Sequence, residues 1–457
     1  MNMQFDGQEL AQATRGSCIQ AGPTGEICTD TRTLKKGDWF LAIVGARFDG
    51  HTFAQKAREI GVAGIIGQHI PQGWDRGFVK VPDSIVALQN IARFIRKQYT
   101  GLVVGITGSA GKTTTRALIS SVLSQKGSVL ATKGNFNNHI GLPLTLLRSN
   151  LNERFWVLEM GMNHFGEIQL LQEIAQPHIR IITNVGAAHL EGVGSIEGVA
   201  KAKGELFDGA NAGDLCVRNA DDHRIMTHPL RTDVRTVEFG STPLSQIRIV
   251  NASIDTDTLN TDIVLETPQG PLHVSLASPG IHLSSNVASA VAVGLDQHCD
   301  LDMIKTGIES YAPVGARLRI EDGQTGIKWI NDAYNANPLS MRASLTTLSH
   351  LHGQATVALL GDMLELGENA VEEHLELLNF ALSLEIETIG VCGSLFAQAA
   401  QNLLSSDNKH AQRLIFASNS TELGEKVQNM LKKGDVVLLK GSRGIKMERI
   451  LALLEQQ

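Results

Sequence analysis

The chain has 457 residues, 42% of them hydrophobic and 19% charged, with a formal net charge of −7. That length exceeds what one hydrophobic core organises, so two or three domains are expected, and the acidic balance argues against a general nucleic-acid or anionic-membrane binder. Five scattered cysteines without a C-x-x-C pair, an acidic polar N-terminus (MNMQFDGQELAQ) and no run of about 18 apolar residues disfavour a disulfide framework, a thiolate zinc site, a signal peptide and a membrane span, leaving a cytoplasmic location as the expectation.

In chain order, residues 1–99 mix short apolar runs (WFLAIVG, VAGIIG) with one helical pattern, IVALQNIARFIRKQY, which ends before Thr100-Gly101. This reads as a small α/β domain followed by a short hinge. Residues 100–313 open on VVGITGSAGKTTTRALISSVL and continue with the apolar strands RFWVLEMG and IRIITNVG between helical stretches. Strands alternating with helices predict a parallel sheet whose ligands gather at the carboxyl ends of the strands. The stretch from VEFG to VSLA alternates polar and apolar residues around turn signals, predicting an antiparallel meander. Residues 314–457 repeat the α/β rhythm, with ATVALLGDM, TIGVCG and DVVLLKGSRG as buried strands. The expected fold class is thus α/β in three domains, the central one a phosphate-loop mononucleotide binder and the last Rossmann-like.

A phosphate cradle needs glycines that turn backbone N–H groups toward phosphate, a lysine for the terminal phosphates, a hydroxyl for Mg²⁺ and a helix N-terminus behind them. Gly108, Gly111, Lys112 and Thr113 supply these in order. The strict G-x-x-x-x-G-K-[ST] spacing would place the first glycine at 106, where Ile stands, so the motif is a variant; the plainer alternative is a Gly/Ser-rich turn with Lys112 in solvent. Glu159 ends the buried run FWVLE, and His189 follows IITNVGAAH. Singly each is an ordinary polar loop residue; with the cradle they point to a divalent ion beside a nucleotide. In EGVAKAKGELF, Lys201 and Lys203 lie about 200° apart on a helix, so only one of them can face an interior site.

The motifs TGSAGKTTT, GNFNNHIGLPLTLL, LEMGMNHFGEI, TNVGAAHLEGVGSIEGVAKAKGE, HLSSNVASAVAV, GARLRIE, NDAYNANP, LLGDMLELG and LLKGSRGIKME, in this order over nearly the whole length, resemble the Mur ligase family, ATP-dependent amide-forming enzymes of peptidoglycan precursor synthesis. Within the family, NDAYNANP with GNFNNHIG is similar to the branch that adds D-alanyl-D-alanine to a UDP-N-acetylmuramoyl-tripeptide. The resemblance implies that Gly108, Ser109, Ala110, Gly111, Lys112, Thr113 and Thr114 hold ATP, that Thr113 and Glu159 bind one Mg²⁺, and that His189 and a carbamylated Lys203 serve a second. It further implies that Asn286 reads adenine, that Arg317 and Asp332 contact phosphate and ribose, and that Asn335 and Asn337 shape the nucleotide site, a turn before Pro338 being the alternative for the last two. Thr31, Arg32, Arg47, Asp49, Gly50 and His51 would hold the UDP-sugar, or be plain loop polarity; Asn137 and Asn138 would fix the sugar-peptide, and Ser442 and Arg443 would face the dipeptide. Lys112, Lys203, His189 and Glu159 form the implied catalytic set. A monomer is expected, because no heptad seam is visible. A sister ligase, a folylpolyglutamate-type relative, a nucleotide switch and a phosphate-loop kinase are the competing readings.

Overall fold

The structure, a computed structural model, describes residues 3–45, 48–351, 355–406 and 411–455. Three main sheets follow one another along the chain. The first orders its strands Ser17–Gln20, Gly77–Lys80, Gly64–Gly67, Trp39–Leu41 and Ile27–Cys28, all parallel neighbours except the first pair. The second has nine strands, in the order Gly270–Leu276, Thr261–Thr267, Ile247–Ile254, Arg235–Gly240, Leu215–Asn219, Ile179–Ile182, Leu102–Thr107, Phe155–Glu159 and Val129–Ala131. The third runs Arg319–Asp322, Lys328–Asp332, Val436–Lys440, Thr356–Gly361, Thr388–Cys392 and Leu414–Ala417, parallel apart from its first pair. Strands such as Phe155–Glu159, Ile179–Ile182 and Val436–Lys440 are buried along their whole length, which is why they read as continuous apolar runs rather than alternating ones.

The fold is therefore α/β, as the sequence pattern indicates, with one difference in the second sheet. The stretch VEFG lies within Arg235–Gly240, which pairs parallel with Leu215–Asn219 and with Ile247–Ile254; only the last three strands form the antiparallel meander. This strand grades from exposed at Arg235 to buried at Gly240 and lies inside the sheet, with a parallel neighbour on each side.

By its internal contacts the chain divides into two compact units, one of residues 1–105, 127–161 and 166–178, the other of residues 106–126, 162–165 and 179–457. In the first, the helix Ser84–Gln98 is capped by Asp83, whose carboxylate accepts from the Ile85 and Val86 N–H groups. Near its end Arg96, 8% exposed, donates to the carbonyls of Ala175, Gln176 and Tyr99 at 2.6, 2.9 and 3.1 Å. Tyr99 stacks on the buried Trp156 ring at 3.8 Å. A fixed guanidinium and a stacked ring thus hold the chain just before Thr100-Gly101. In the second unit, a core of Trp329, Leu359, Leu439, Val437 and Ile450 lies under the strands of the third sheet, and the Trp329 indole N–H is satisfied by Glu455 at 2.6 Å.

Candidate active site

The strand Leu102–Thr107 ends in the loop 108–111, and the helix Lys112–Ser124 starts on it. Two glycines make this turn possible. Gly108 has φ +152° and a Cβ there would lie 1.9 Å from Thr183 Oγ1; Gly111 has φ +80°, and its Cβ would meet Asn286 Nδ2 at 2.5 Å. The loop is braced from the end of the Ile179–Ile182 strand. The Ser109 N–H donates to Asn184 O (3.0 Å) and the Ala110 N–H to Asn184 Oδ1 (2.8 Å), while Thr183 Oγ1 donates to Ala110 O (2.6 Å). Ser109 Oγ adds bonds with Gly186. Of the 108–113 backbone, the N–H groups of Ser109 and Ala110 are therefore committed to holding the loop's shape. Behind the loop stands the N-terminus of the helix Lys112–Ser124, where the dipole favours an anion. Lys112 Nζ reaches back to Gly108 O at 2.6 Å, over the mouth of the turn.

Asn286, in the helix Leu283–Asp296, donates to Thr115 Oγ1 at 2.8 Å and lies 3.5 Å from Gly111 O. Its amide is bonded to the loop helix, a bracing position, where the resemblance implies an adenine contact.

The helix Ile196–Asp208, capped by Ser195, separates the two lysines as its geometry requires. Lys201 is exposed and sits 5.7 Å from the Phe165 ring, whereas Lys203 is 1% exposed. Burial, and secondarily the Lys112 charge, pushes the Lys203 pKa well below its ordinary value. Among the described residues no carboxylate pairs with it. His189 occupies the left-handed region (φ +57°) at the start of the short helix Leu190–Val193, and Glu365 Oε2 lies 2.8 Å from its Nδ1. The His189 imidazole beside it holds the Glu365 carboxyl below its ordinary pKa. In the other unit Glu159, 1% exposed, ends its strand with its N–H on Thr132 Oγ1.

The third segment brings side chains to the loop. Asn337 caps the helix Pro338–Ser349 through the Ser340 N–H, and its Nδ2 donates to Ser109 O at 3.2 Å. It is both the turn residue before proline and a contact to the phosphate loop. Asn335 is exposed, and its carbonyl accepts from Lys440 Nζ. Arg317 lays its guanidinium 3.6 Å from the Tyr334 ring centre and donates to Val314 O. Asp332 is fully engaged: Oδ1 accepts from the Leu318 N–H, Oδ2 from Ser344 Oγ and from Lys440 Nζ at 2.5 Å. Ser442 is buried and bonds to Leu364 N–H and Asp362 O, whereas Arg443 is exposed and 3.6 Å from Glu448. Of the pair expected to face the dipeptide, only Arg443 presents its side chain to solvent.

Among the expected UDP-sugar residues, Arg32 is exposed and grips Asp30 in a bidentate pair, and Thr31 beside it is half-buried. Gly50 is required by crowding, since a Cβ would fall 2.8 Å from the Ala42 and Ile43 backbone. His51 is buried with both ring nitrogens engaged, Nδ1 with Asp49 Oδ1 (2.7 Å) and Nε2 accepting from the Gln68 N–H (3.0 Å). Asp49 also caps the turn through the His51 N–H. Asp49 and His51 thus form a structural clasp. Arg47 lies outside the described residues. Asn138 closes an Asx turn onto the Ile140 and Gly141 N–H groups, and Asn137 packs on Gly161, two residues past Glu159.

The phosphate loop, the buried Lys203 and the helix of the third segment that touches the loop through Asn337 all lie in the second unit. The Mur ligase middle domain matches residues 106–294, and the domain described as "Mur ligase, glutamate ligase domain" matches 316–443. UDP-N-acetylmuramoyl-tripeptide–D-alanyl-D-alanine ligase of Bacillus subtilis (strain 168) is 34% identical over 93% of this chain and 92% of its own length; the enzyme of that name from Escherichia coli (strain K12) is 34% identical over 94% and 93%. The chain belongs to the Mur ligase family. Solved Mur ligases agree in fold: MurF from Acinetobacter baumannii superposes with a TM-score of 0.90 over 100% of both chains at 29% identity. MurF from Thermotoga maritima in complex with ADP reaches 0.84 over 94% of this chain and 97% of its own, also at 29% identity.

This Mur ligase carries oxygen donors of the kind that suits Mg²⁺, a hard cation: the Thr113 hydroxyl in one unit and the buried Glu159 carboxylate in the other. The residues missed in the sequence are the braces, Asn184, Asp362, Lys440 and Glu365. Asp362 accepts from the Leu395 and Phe396 N–H groups at the start of the helix Ser394–Ser406, anchoring the turn that carries Glu365. Lys440 ends a buried strand just as Glu159 does, and that signal could have found it.

Proposed function

We infer that this chain is an ATP-dependent ligase that joins D-alanyl-D-alanine to UDP-N-acetylmuramoyl-tripeptide, forming the pentapeptide precursor of peptidoglycan with release of ADP and phosphate. The observation that carries the reading is the match, across nearly the whole length of both chains, to ligases of that name.

The carboxylate of the tripeptide attacks the γ-phosphorus of ATP; the bond from that phosphorus to the β,γ-bridging oxygen breaks, and ADP leaves. The amine of the dipeptide, in its neutral form, then attacks the acyl carbon, the carbon–oxygen bond to phosphate breaks, and a proton is released from the nitrogen. Lys112 and the N-terminus of its helix stabilise charge on the transferring group, and the loop, already shaped by Asn184 and Thr183, needs no reorganisation to do so. Asn337 holds the third segment against the loop. To Mg²⁺ we assign Thr113, Glu159, His189 and Lys203 as carbamate; when bound, the metal neutralises phosphate charge. ATP contacts are proposed for residues 108–114, Asn286, Arg317, Asp332 and Asn335, with Asp332 and Asn286 acting through the loops they hold. Thr31, Arg32, Asp49, Gly50 and His51 are proposed for the UDP-sugar, Asn137 and Asn138 for the sugar-peptide, and Ser442 and Arg443 for the dipeptide. Three domains, 1–99, 100–313 and 314–457, would divide these tasks. Among the described residues no helix is long and apolar enough to cross a membrane. The unpaired cysteines support a cytoplasmic location, and the missing heptad seam supports a monomer.

The test is phosphate release by the purified protein with Mg-ATP, UDP-muramoyl-tripeptide and D-alanyl-D-alanine, leaving out one component at a time and depleting carbon dioxide in a further arm. The reading expects turnover only with all three, a UDP-pentapeptide by mass, and a fall on depletion. ATP hydrolysis indifferent to the dipeptide would overturn it.

A further inference from the structure

His189 and Glu365 are 176 residues apart in sequence, and both hold left-handed backbone conformations, φ +57° and +65°, that side-chain-bearing residues seldom adopt. The two turns meet: Glu365 Oε2 lies 2.8 Å from His189 Nδ1, and a Cβ on Gly367 would stand 3.7 Å from the Glu191 backbone. His189 Nδ1 is buried, and the carboxylate is at hydrogen-bond distance but outside hydrogen-bond angle. The Glu365 side chain is 59% exposed, so the pair contributes little to stability and the two unusual backbone conformations are not explained by it. A carboxylate that takes the Nδ1 proton fixes the imidazole in the tautomer whose Nε2 carries the lone pair, and it fixes the ring's direction.

We propose that Glu365 is a positioning residue: from the LLGDMLELG turn of the third segment it orients His189 and sets its tautomer, so that Nε2 is presented to the cation. The inference rests on the assignment of His189 to Mg²⁺. It gives the third segment a part in building the metal site of the second.

The full-length protein labelled with ¹⁵N-histidine, free of metal, is to be compared with Glu365→Ala, Glu365→Gln and, as a neighbouring control, Glu368→Ala. Long-range proton–nitrogen correlation spectra, with the His189 signals identified by His189→Gln, report the tautomer directly. The expectation is an Nδ1–H ring in the parent, in Glu368→Ala and in Glu365→Gln, whose amide oxygen also accepts, and loss of that preference in Glu365→Ala. In the ligase assay the Mg²⁺ concentration for half-maximal rate should rise at least about tenfold in Glu365→Ala, with Glu365→Gln between it and the parent. An unchanged tautomer, or an unchanged Mg²⁺ requirement, overturns the proposal. If the parent shows no ligase turnover the functional reading fails instead, while the tautomer comparison still decides whether Glu365 orients the ring.

Discussion

His282, beside the Asp332–Lys440 pair, has its pKa pushed down to about 4 from an ordinary 6.5 by burial, with Asp332 opposing and Lys440 adding to the shift. Between those two values the unfolded chain binds a proton that the folded chain refuses. Stability is therefore intact above pH 6.5 and falls as the pH drops toward 4. Urea unfolding of the parent and of His282→Gln from pH 7.5 to 4.5 should show a flatter acid limb in the variant, the difference reaching at most about 3 kcal/mol. Superimposable pH dependences would mean that the imidazole is solvated. At this scale the sequence was partly readable. Helical geometry alone separates Lys201 from Lys203, and the structure places one on the surface and the other inside. The clasp role of His51 could not be read, because its Nε2 partner is the backbone N–H of Gln68, and a backbone group leaves no mark in the sequence.

Among elements, the strand ends carry the chemistry. Lys328–Asp332 and Val436–Lys440 run side by side and parallel, each ending in a charged residue, so the register sets Asp332 opposite Lys440. Their side chains are 10% and 3% exposed and share a 2.5 Å contact. Removing one partner leaves a buried charge without its counterion. Lys440→Met should cost about 3 kcal/mol in urea unfolding, more than the median for an exposed ion pair by a wide margin. A loss below about 1 kcal/mol would show that Leu318 and Ser344 suffice to hold Asp332. The strands themselves were legible as apolar runs ending in glycine or charge. Their neighbours in the sheet were not, since Asp332 and Lys440 meet across 108 residues of chain. The meander shows the same limit: alternation reveals exposure, and strand direction follows from connections that periodicity does not encode.

For the whole molecule, a ligand that binds the folded chain alone stabilises it by mass action. ADP at about 100 times its dissociation constant adds about 2.7 kcal/mol, a rise of a few degrees in melting temperature. Lys112→Ala should melt like the parent without ADP and respond to ADP with little or no rise; an undiminished response would remove Lys112 from the phosphate site. The contact between Lys112 Nζ and Gly108 O has one more consequence. Each turnover sheds an inorganic phosphate, the smallest competitor for the cation that stabilised it. An ammonium that already donates to a carbonyl must give up that bond to take an anion, so what it adds to binding is the difference between the two partners rather than the whole of the new one.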